Sequence, residues 1–329
     1  MINTPNPDLY WILGSIFACL LAGSIVRFVA LRNTEETRRR KRLASLGTWW
    51  ILTLLMSVSL LTGRLGICLL FTFASCIAWF EITGIFGVRK QERLIVQAGY
   101  GLIIINYLLI LFAAISQFVV FLPLCSLFVF AVLLLINGQP EGYIRSSGSL
   151  LWGIMFLGYG LSHAAFLLVV PEAARAPVGV TGWFLFLVIL TESNDIYQAI
   201  VGRAFGSHKK HRISPVISPN KTWEGFIGGM LITITIAVII APWLTTFGQQ
   251  PGPFNLSAAL QPWVSPVFAA MLIAITGFFG DINMSAIKRD DGIKDSSKLL
   301  PGMGGVIDRV DSLTITAPVF VYFLIWWLA

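Results

Sequence analysis

Long apolar runs, separated by short polar segments, dominate the chain. Each run is roughly twenty residues long, which is the length of a helix that crosses the hydrocarbon core of a bilayer. Strands of a membrane barrel would instead alternate polar and apolar residues over roughly ten positions. Because a spanning segment must satisfy its own backbone hydrogen bonds, the pattern predicts an all-α, polytopic transmembrane bundle of nine or ten spans. The candidate spans are 10–31, 46–62, 65–88, 94–115, 118–136, 148–170, 178–201, 225–246, 264–281 and 313–329.

Composition agrees with a membrane protein. Hydrophobic residues make up 56% and charged residues 12% of the 329 residues, and the mean hydropathy is +0.80. A soluble domain carries about 25% charged residues, so that class is excluded. Pro123 leaves open a different division of residues 94–136, hence nine or ten spans. The cysteines fall inside apolar runs, without metal or disulfide spacing, and are expected to be small packing residues: Cys19, Cys68, Cys76 and Cys125.

Lysine and arginine are distributed unevenly between the two sides of such a bundle. If the N-terminus faces outward, 20 of the 23 basic residues fall in segments on the opposite side. Cytoplasmic loops are enriched in basic residues, so these segments are predicted to face the cytoplasm. The net charge of +7 is then explained by the excess of basic residues in cytoplasmic segments and by their attraction to anionic lipid headgroups. No nucleic-acid partner is expected. The N-terminus lacks the basic segment of a secretory signal, so the first run is expected to be a retained helix.

Acidic residues concentrate at 191–195, in the loop 202–224 and in the segment 280–312. The last segment mixes six aspartates with five basic residues and contains neither Cys nor His, which excludes a zinc site. Carboxylates suit Mg²⁺, basic side chains suit phosphate oxygens, and a glycine-rich turn lets backbone N–H groups approach an anion. Asp281 and Asp308 flank consecutive spans, which antiparallel packing would bring together. The segment is therefore a candidate for magnesium-assisted phosphoryl or nucleotidyl transfer, and the alternative is an ordinary solvated loop.

The order of these residues resembles the C-terminal pattern of phosphatidate cytidylyltransferases, also called CDP-diacylglycerol synthases. The matching positions follow one another closely and are Ser285, Lys288-Arg289, Lys294-Asp295, Leu300-Pro301, Gly304-Gly305, Asp308-Arg309 and Asp311. A second block, 218–225, is similar to the family's Ser-Pro-x-Lys-Thr-Trp-Glu-Gly segment, and residues 195–203 resemble the segment before it. The resemblance covers the C-terminal part of the chain, and the N-terminal half matches only as hydrophobic spans. Met303 stands at the family's His, Met284 at its usual Glu, and the segment 194–197 is altered.

This resemblance implies that a phosphatidate oxygen attacks the α-phosphorus of CTP and gives CDP-diacylglycerol and pyrophosphate, with Mg²⁺ and possibly a second metal ion. The implied metal ligands are Asp281 and Asp308. The implied catalytic residues are Lys288, Arg289, Lys294, Asp295, Arg309 and Asp311. The implied substrate-binding residues are Asp195, Ser218, Pro219, Lys221, Thr222, Gly304 and Gly305.

CTP, a phospholipid substrate and membrane lipids are the partners that the resemblance implies, together with a second copy of the chain in a homodimer. We expect an integral membrane protein, of a bacterial plasma membrane since no transit peptide is recognised, with its site facing the cytoplasm. The motifs divide the chain into N-terminal transmembrane helices, 1–177, and a C-terminal catalytic region, 178–329.

Two other functions remain open at this point. One is a CTP-using enzyme that acts on a different lipid phosphate or a polyprenyl lipid, and the other is a non-catalytic lipid-binding or transport relative. A transporter would show repeated halves, and the sequence shows none. Glu81, an acidic residue inside the third span, is expected to reach Arg89 or water rather than the site. His208 and His211 are expected to be basic-loop residues.

Overall fold

Ten helices long enough and apolar enough to cross a membrane are present in the described part of the chain, as predicted. The structure, a computed structural model, describes residues 7–32, 34–89, 92–136, 138, 141–170, 173, 175–206, 211–247, 249 and 260–328. The helices are α1 (Pro7–Ala30), α2 (Glu36–Leu61), α3 (Arg64–Ile85), α4 (Arg93–Leu111), α5 (Ile115–Ile136), α6 (Tyr143–Val169), α7 (Val180–Phe205), α8 (Trp223–Leu244), α9 (Gln261–Asp290) and α10 (Ile307–Leu328). Because spans alternate in direction, the basic loops meet at one end of the bundle.

Two helices extend beyond their apolar runs into polar sequence. Helix α2 begins at Glu36, so the basic run 38–42 is its first turns rather than a loop. Helix α9 continues past residue 281 to Asp290, which makes it about 45 Å long at 1.5 Å per residue. That length exceeds a hydrocarbon core of about 30 Å, so the last turns of α9 carry polar side chains out of the apolar layer.

Residues 94–136 are divided into two helices by a break that lies before Pro123 in the chain. Helix α4 ends at Leu111 and α5 begins at Ile115, and Ala113 between them adopts a φ of 55°. Pro123 lies inside α5, which continues on both sides of it. A proline is tolerated inside a membrane helix because neighbouring groups satisfy the freed carbonyl.

The core of the bundle lies around α6. About 78% of the apolar window of α6 is buried, against 6% for α1 at the edge. Within α6, residues Ile154–Gly160 form a π-helical segment. The largest fully buried side chains include Trp79, Trp183 and Phe186, whose rings pack against those of neighbouring helices. The four cysteines are all free, and Cys68 is buried while Cys19 is exposed.

A short hairpin interrupts the all-helical pattern between α7 and α8. Strand β1 (Arg212–Ser214) pairs antiparallel with β2 (Ser218–Thr222), with Arg212 opposite Thr222 and Ser214 opposite Ser218. Pro215 and Pro219 in this segment disfavour a helix, because proline lacks the backbone donor that a helix needs. The hairpin carries the second sequence block to the start of α8.

Glycines allow close contacts between the C-terminal helices. A Cβ atom at Gly225 would lie 2.7 Å from the carbonyl oxygen of Gln198, and one at Gly229 would lie 2.5 Å from the Cγ of Gln198. A Cβ atom at Gly280 would lie 2.7 Å from the carbonyl oxygen of Asp311. Small residues let membrane helices approach closely. These contacts draw α7 against α8 and α9 against α10, and thereby set the positions of the polar side chains at their ends.

Candidate active site

An ion pair joins the two sequence blocks. Lys221 Nζ at the end of β2 lies 2.8 Å from Asp281 Oδ2 on α9, and both side chains are largely shielded from solvent. The same ammonium group donates a hydrogen bond of 2.9 Å to Gln198 Oε1 on α7 and lies 5.5 Å from the centre of the Phe278 ring. Thr222, the residue after Lys221, caps α8, because its hydroxyl accepts a hydrogen bond from Gly225 N. This cap fixes the backbone next to the lysine.

Three carboxylates surround Lys221. Burial lowers the pKa of the ammonium group, but the charges of Asp281, Asp195 and Asp311 raise it more, so the pKa lies above its ordinary value and the group stays cationic. The Asp195 carboxylate accepts a hydrogen bond of 2.7 Å from the hydroxyl of Ser312, the residue after Asp311. The charges of acidic side chains from α7, α9 and α10 therefore act on one lysine, and these groups form a single cluster.

Asp308 lies at the start of α10 and binds the preceding loop. Its Oδ1 atom accepts a hydrogen bond of 2.6 Å from Lys288 Nζ, and both of these side chains are more than nine-tenths buried. Its Oδ2 atom accepts hydrogen bonds from the backbone N–H groups of Ser296 (3.0 Å) and Gly305 (2.9 Å) and from the Ser296 hydroxyl (3.2 Å). The carboxylate thus connects α9, the loop after it and the glycine-rich turn.

Glu81 is a site residue that the sequence interpretation missed. Its carboxylate on α3 accepts hydrogen bonds from the hydroxyls of Ser297 (2.6 Å) and Ser296 (3.0 Å) and from the backbone N–H groups of Ile307 (2.9 Å) and Val306 (3.0 Å). The expectation that it reaches Arg89 or water was wrong. The sequence does contain a sign of this role, because Glu81 lies inside an apolar run and an ionisable group there requires partners. Those partners lie in the other half of the chain.

Arg89 has other partners near the end of α3. It lies 3.3 Å from the carboxylate of Glu92, and it donates a hydrogen bond of 2.9 Å to the carbonyl oxygen of Glu141. Arg89 therefore does not pair with Glu81, whose carboxylate instead binds residues of the loop between α9 and α10 and the start of α10.

The glycine-rich turn closes against α2. Gly304 adopts a φ of 89°, a left-handed conformation that favours glycine, and its carbonyl oxygen accepts a hydrogen bond of 2.8 Å from Leu300 N. Thr48 on α2 donates a hydrogen bond of 2.9 Å to the carbonyl oxygen of Pro301. A Cβ atom at Gly302 would lie 2.6 Å from the carbonyl oxygen of Lys41, which follows from the same close contact. The turn is therefore packed against a helix of the N-terminal half.

Other predicted site residues lie around this cluster with varied exposure. Arg289 donates a hydrogen bond of 2.6 Å to the carbonyl oxygen of Ile293. Arg309 Nε is buried without a hydrogen-bond partner in the described part of the chain, and its side chain interacts electrostatically with Glu192. Four predicted residues are partly or fully exposed: Ser218, Pro219, Lys294 and Asp295. The two charged ones, Lys294 and Asp295, make no ion pair with another described residue. Their implied roles stay predictions.

The carboxylate cluster is chemically suited to a magnesium–nucleotide complex. Asp195 Oδ1 is buried and has no hydrogen-bond partner among the described residues, and it lies close enough to Asp281 for their charges to interact. No group of three or more His, Cys, Asp or Glu side chains in the described ranges is arranged to hold a metal ion by itself. Mg²⁺ uses one or two carboxylates together with substrate phosphates, so these oxygen donors fit an ion that arrives with a nucleotide.

Two of the departures from the family pattern have clear structural positions. Met284, at the family's usual Glu, is almost completely buried inside the bundle. Met303, at the family's His, is half-buried in the glycine-rich turn, and its N–H group donates to the carbonyl oxygen of Leu300. His211 contacts the Glu224 carboxylate at the start of α8, whereas His208 lies outside the described residues.

A family comparison assigns the chain over most of its length. Residues 43–327 match the model of the cytidylyltransferase family. The match includes both sequence blocks and all of the helices from α3 to α9, as well as most of α2 and α10.

Individual relatives give the same assignment. The chain is 36% identical over 312 residues to the uncharacterized protein YnbB of Escherichia coli K12, which covers 95% of this chain and 97% of that protein. It is 35% identical over 178 residues to the phosphatidate cytidylyltransferase of Chlamydia muridarum, with 54% of each chain covered. It is 38% identical over 139 residues to that of Haemophilus influenzae, with 42% of this chain and 44% of that protein covered. The matched part is thus about half the length of these phosphatidate cytidylyltransferases. The chain therefore belongs to the cytidylyltransferase family, as an integral membrane nucleotidyltransferase, which confirms the resemblance seen in its sequence.

Proposed function

We propose that this protein transfers the cytidylyl group of CTP to the phosphate of phosphatidate, at the cytoplasmic face of the membrane. The observation that carries the proposal is the ion pair between Lys221 and Asp281. It joins two motif blocks, which α8 and most of α9 separate in the chain, into one charged cluster at the basic end of the bundle. The relatives named as phosphatidate cytidylyltransferases support the choice of substrates.

The reaction requires positioning and charge neutralisation more than proton abstraction. A phosphate monoester of a lipid is already anionic near neutral pH, so its oxygen attacks the α-phosphorus of CTP without a general base. A bond forms between an oxygen of the lipid phosphate and the α-phosphorus of CTP. At the same time the bond between the α-phosphorus and the oxygen that bridges it to the β-phosphate breaks, and pyrophosphate leaves. A missing histidine at Met303 is compatible with this chemistry.

Basic side chains of the cluster supply the neutralisation. Lys221 and Lys288 are both held by carboxylates, and the Nε atom of Arg309 is buried without a hydrogen-bond partner in the described part of the chain. Fixed cations that face the position where phosphate charge develops stabilise the transition state more than the ground state. Gly305 N, in the glycine-rich turn, donates to the same Asp308 carboxylate that accepts from Lys288.

Mg²⁺ would be held by Asp281 and Asp308, as the resemblance implies, and Asp195 and Asp311 lie close enough to Asp281 for their charges to interact. When bound, it would polarise the phosphate oxygens of CTP and offset their charge. Asp195 Oδ1 is buried without a hydrogen-bond partner among the described residues, so it is an acceptor available to such an ion.

A purified-protein assay tests the proposal. Protein in detergent or nanodiscs is incubated with labelled CTP, dioleoyl phosphatidate and MgCl₂, and pyrophosphate and the labelled lipid are measured. Asp281→Asn and Asp308→Asn should each lower turnover by at least about a hundredfold, because each removes charge from the cluster. Asp290→Asn is the matched control, since this exposed aspartate lies on α9 outside the cluster. Wild-type turnover in either cluster variant would reject the site assignment.

A different lipid phosphate is the second candidate, because Met303 replaces the family's histidine. The same assay with a polyprenyl phosphate in place of phosphatidate separates the two. Turnover of the polyprenyl lipid alone would select the second candidate. Binding of lipid without any magnesium-dependent release of pyrophosphate would select a non-catalytic relative. The homodimer stays a prediction, which the mass of the purified protein in detergent measures.

A further inference from the structure

An apolar groove runs along the lipid-facing side of α3 and α4 to the loop between α9 and α10. Its volume is about 480 Å³, in the range of sites that hold small molecules. Four of its wall residues recur at helical spacing on one face of α3, and a ring from α4 completes the wall: Phe73, Cys76, Ile77, Phe80 and Tyr100. The rings of Phe73 and Phe80 are 67% and 69% exposed on the outside of the bundle, so the groove opens directly to lipid.

The dimensions of the groove correspond to one leaflet of the membrane. From Phe73 to Glu81 the helix rises about 12 Å, at 1.5 Å per residue. Half of a hydrocarbon core measures about 15 Å. The groove therefore extends from near the bilayer midplane to the interface on the side of the basic loops, where the headgroup of a lipid in that leaflet would lie.

The interfacial end of the groove is formed by Glu81 and by the loop between α9 and α10, which is part of the candidate active site. Ser297 and Leu299 line it from the loop, together with the stem of Glu81. The Ser297 hydroxyl donates to the Glu81 carboxylate at 2.6 Å, and the neighbouring Ser296 donates to Asp308. A lipid whose chain lies in the groove would therefore have its headgroup next to the loop that carries the charged cluster.

An exposed lysine lies in the loop segment that lines the interfacial end of the groove. Lys298 lies between the two loop residues that line it, and its side chain is exposed. No ion pair between described residues uses its ammonium group. Lys298 is also outside the positions that match the family pattern. An apolar groove with a cation at its interfacial end is complementary to an anionic lipid of the same leaflet.

We propose that this groove holds an acyl chain of the acceptor lipid, with the lipid phosphate at the level of Lys298. The inference rests on the proposed function, and it adds where the lipid enters and which residues select its chain. The lipid reaches the site sideways from the leaflet and keeps its chain in an apolar environment throughout. Cys76 lies about 7.5 Å below Glu81 along α3, so it lines the part of the groove that an acyl chain would fill.

Substitutions in the groove test the inference through the KM for the lipid substrate. Cys76→Trp should raise the KM for dioleoyl phosphatidate about tenfold, since an overfilled site loses binding. The KM for CTP should not change. Leu69→Trp is the matched control, because Leu69 is on the same helix, is 62% exposed and lies outside the groove. An equal effect of both substitutions, or none for Cys76→Trp, overturns the inference.

The phosphate contact is tested separately. Lys298→Gln should raise the KM for dioleoyl phosphatidate about fivefold and leave the KM for CTP unchanged, as expected for the loss of one interfacial cation. Arg145→Gln, at another exposed basic residue on the same side, is the control and should leave both values unchanged. A rise in the KM for CTP instead would remove Lys298 from the lipid site.

Photo-crosslinking separates failure of the groove from failure of the proposed function. A phosphatidate with a diazirine in one acyl chain is irradiated with the protein in nanodiscs without CTP, and adducts are mapped by mass spectrometry. Adducts at residues 73–80 that excess dioleoyl phosphatidate removes support the groove, whether or not cytidylyl transfer occurs. Adducts elsewhere in an active protein, or equal labelling by a phosphatidylcholine probe, overturn the groove and leave the proposed function intact.

Discussion

Removal of the Glu81 carboxylate should disorder the loop that carries the charged cluster. The carboxylate accepts four hydrogen bonds from the loop, two of them from the N–H groups of Val306 and Ile307. A buried donor that loses its acceptor costs about 1–3 kcal/mol, so Glu81→Ala should destabilise the ordered loop by about 2–6 kcal/mol. Because 1.4 kcal/mol corresponds to a factor of about ten, turnover should fall by at least about thirtyfold.

Two measurements check this expectation together. Cytidylyl transfer gives the loss of activity, and hydrogen exchange gives the loss of protection at the amides of residues 296–307. Glu81→Gln keeps one carbonyl acceptor and should lie between the wild type and Glu81→Ala in both measurements. Glu92→Gln is the matched control, since this buried carboxylate lies near the same end of the bundle and contacts Arg89 instead of the loop. Wild-type activity and unchanged exchange in Glu81→Ala would refute the reasoning.

Further predictions follow from contacts within the cluster and between its helices. Lys221→Met should abolish turnover and lower the thermal stability, because it leaves three neighbouring carboxylates without their cation; the double variant Lys221→Met/Asp281→Asn should regain stability but not turnover. Gly229→Ala should lower stability by about 1–3 kcal/mol, measured by thermal unfolding in detergent, since its Cβ atom would lie 2.5 Å from Gln198 Cγ. Gly84→Ala, where the added atom meets nothing within 4 Å, should not lower it. Removal of Mg²⁺ with EDTA should stop turnover reversibly, and a retained rate would contradict the metal assignment.

The ten spans could be predicted from the sequence because their lengths follow from the thickness of the apolar layer, which each run must cross independently. The hairpin could not be predicted in the same way. Its two short strands leave little periodicity, and the pairing of Arg212 with Thr222 depends on a turn between them. The ends of α2 and α9 also escaped prediction, since polar helical turns beyond the membrane carry no apolar signal.

The chemistry of the site was predictable where residue types and spacing were sufficient. The aspartates and lysines of the two blocks could be identified from their order, but their partners could not. Lys288 binds Asp308, whereas Lys221 binds Asp281, and only the packing of α7 to α10 distinguishes these pairs. Glu81 lies far before Ser296 in the chain, so its contribution depends on a tertiary contact that crosses the division at residues 177 and 178.

The lysine that neutralises the acidic cluster is covalently attached to the protein, and this affects which ligands the cluster accepts. A bare divalent ion that binds Asp281 must displace the ammonium group of Lys221 from that carboxylate and meets its positive charge nearby. A metal that arrives on a nucleoside triphosphate brings phosphate oxygens, to which the displaced ammonium can turn. At the proposed magnesium site, the tethered cation would thus disfavour occupation by free metal and favour a metal that arrives with the nucleotide.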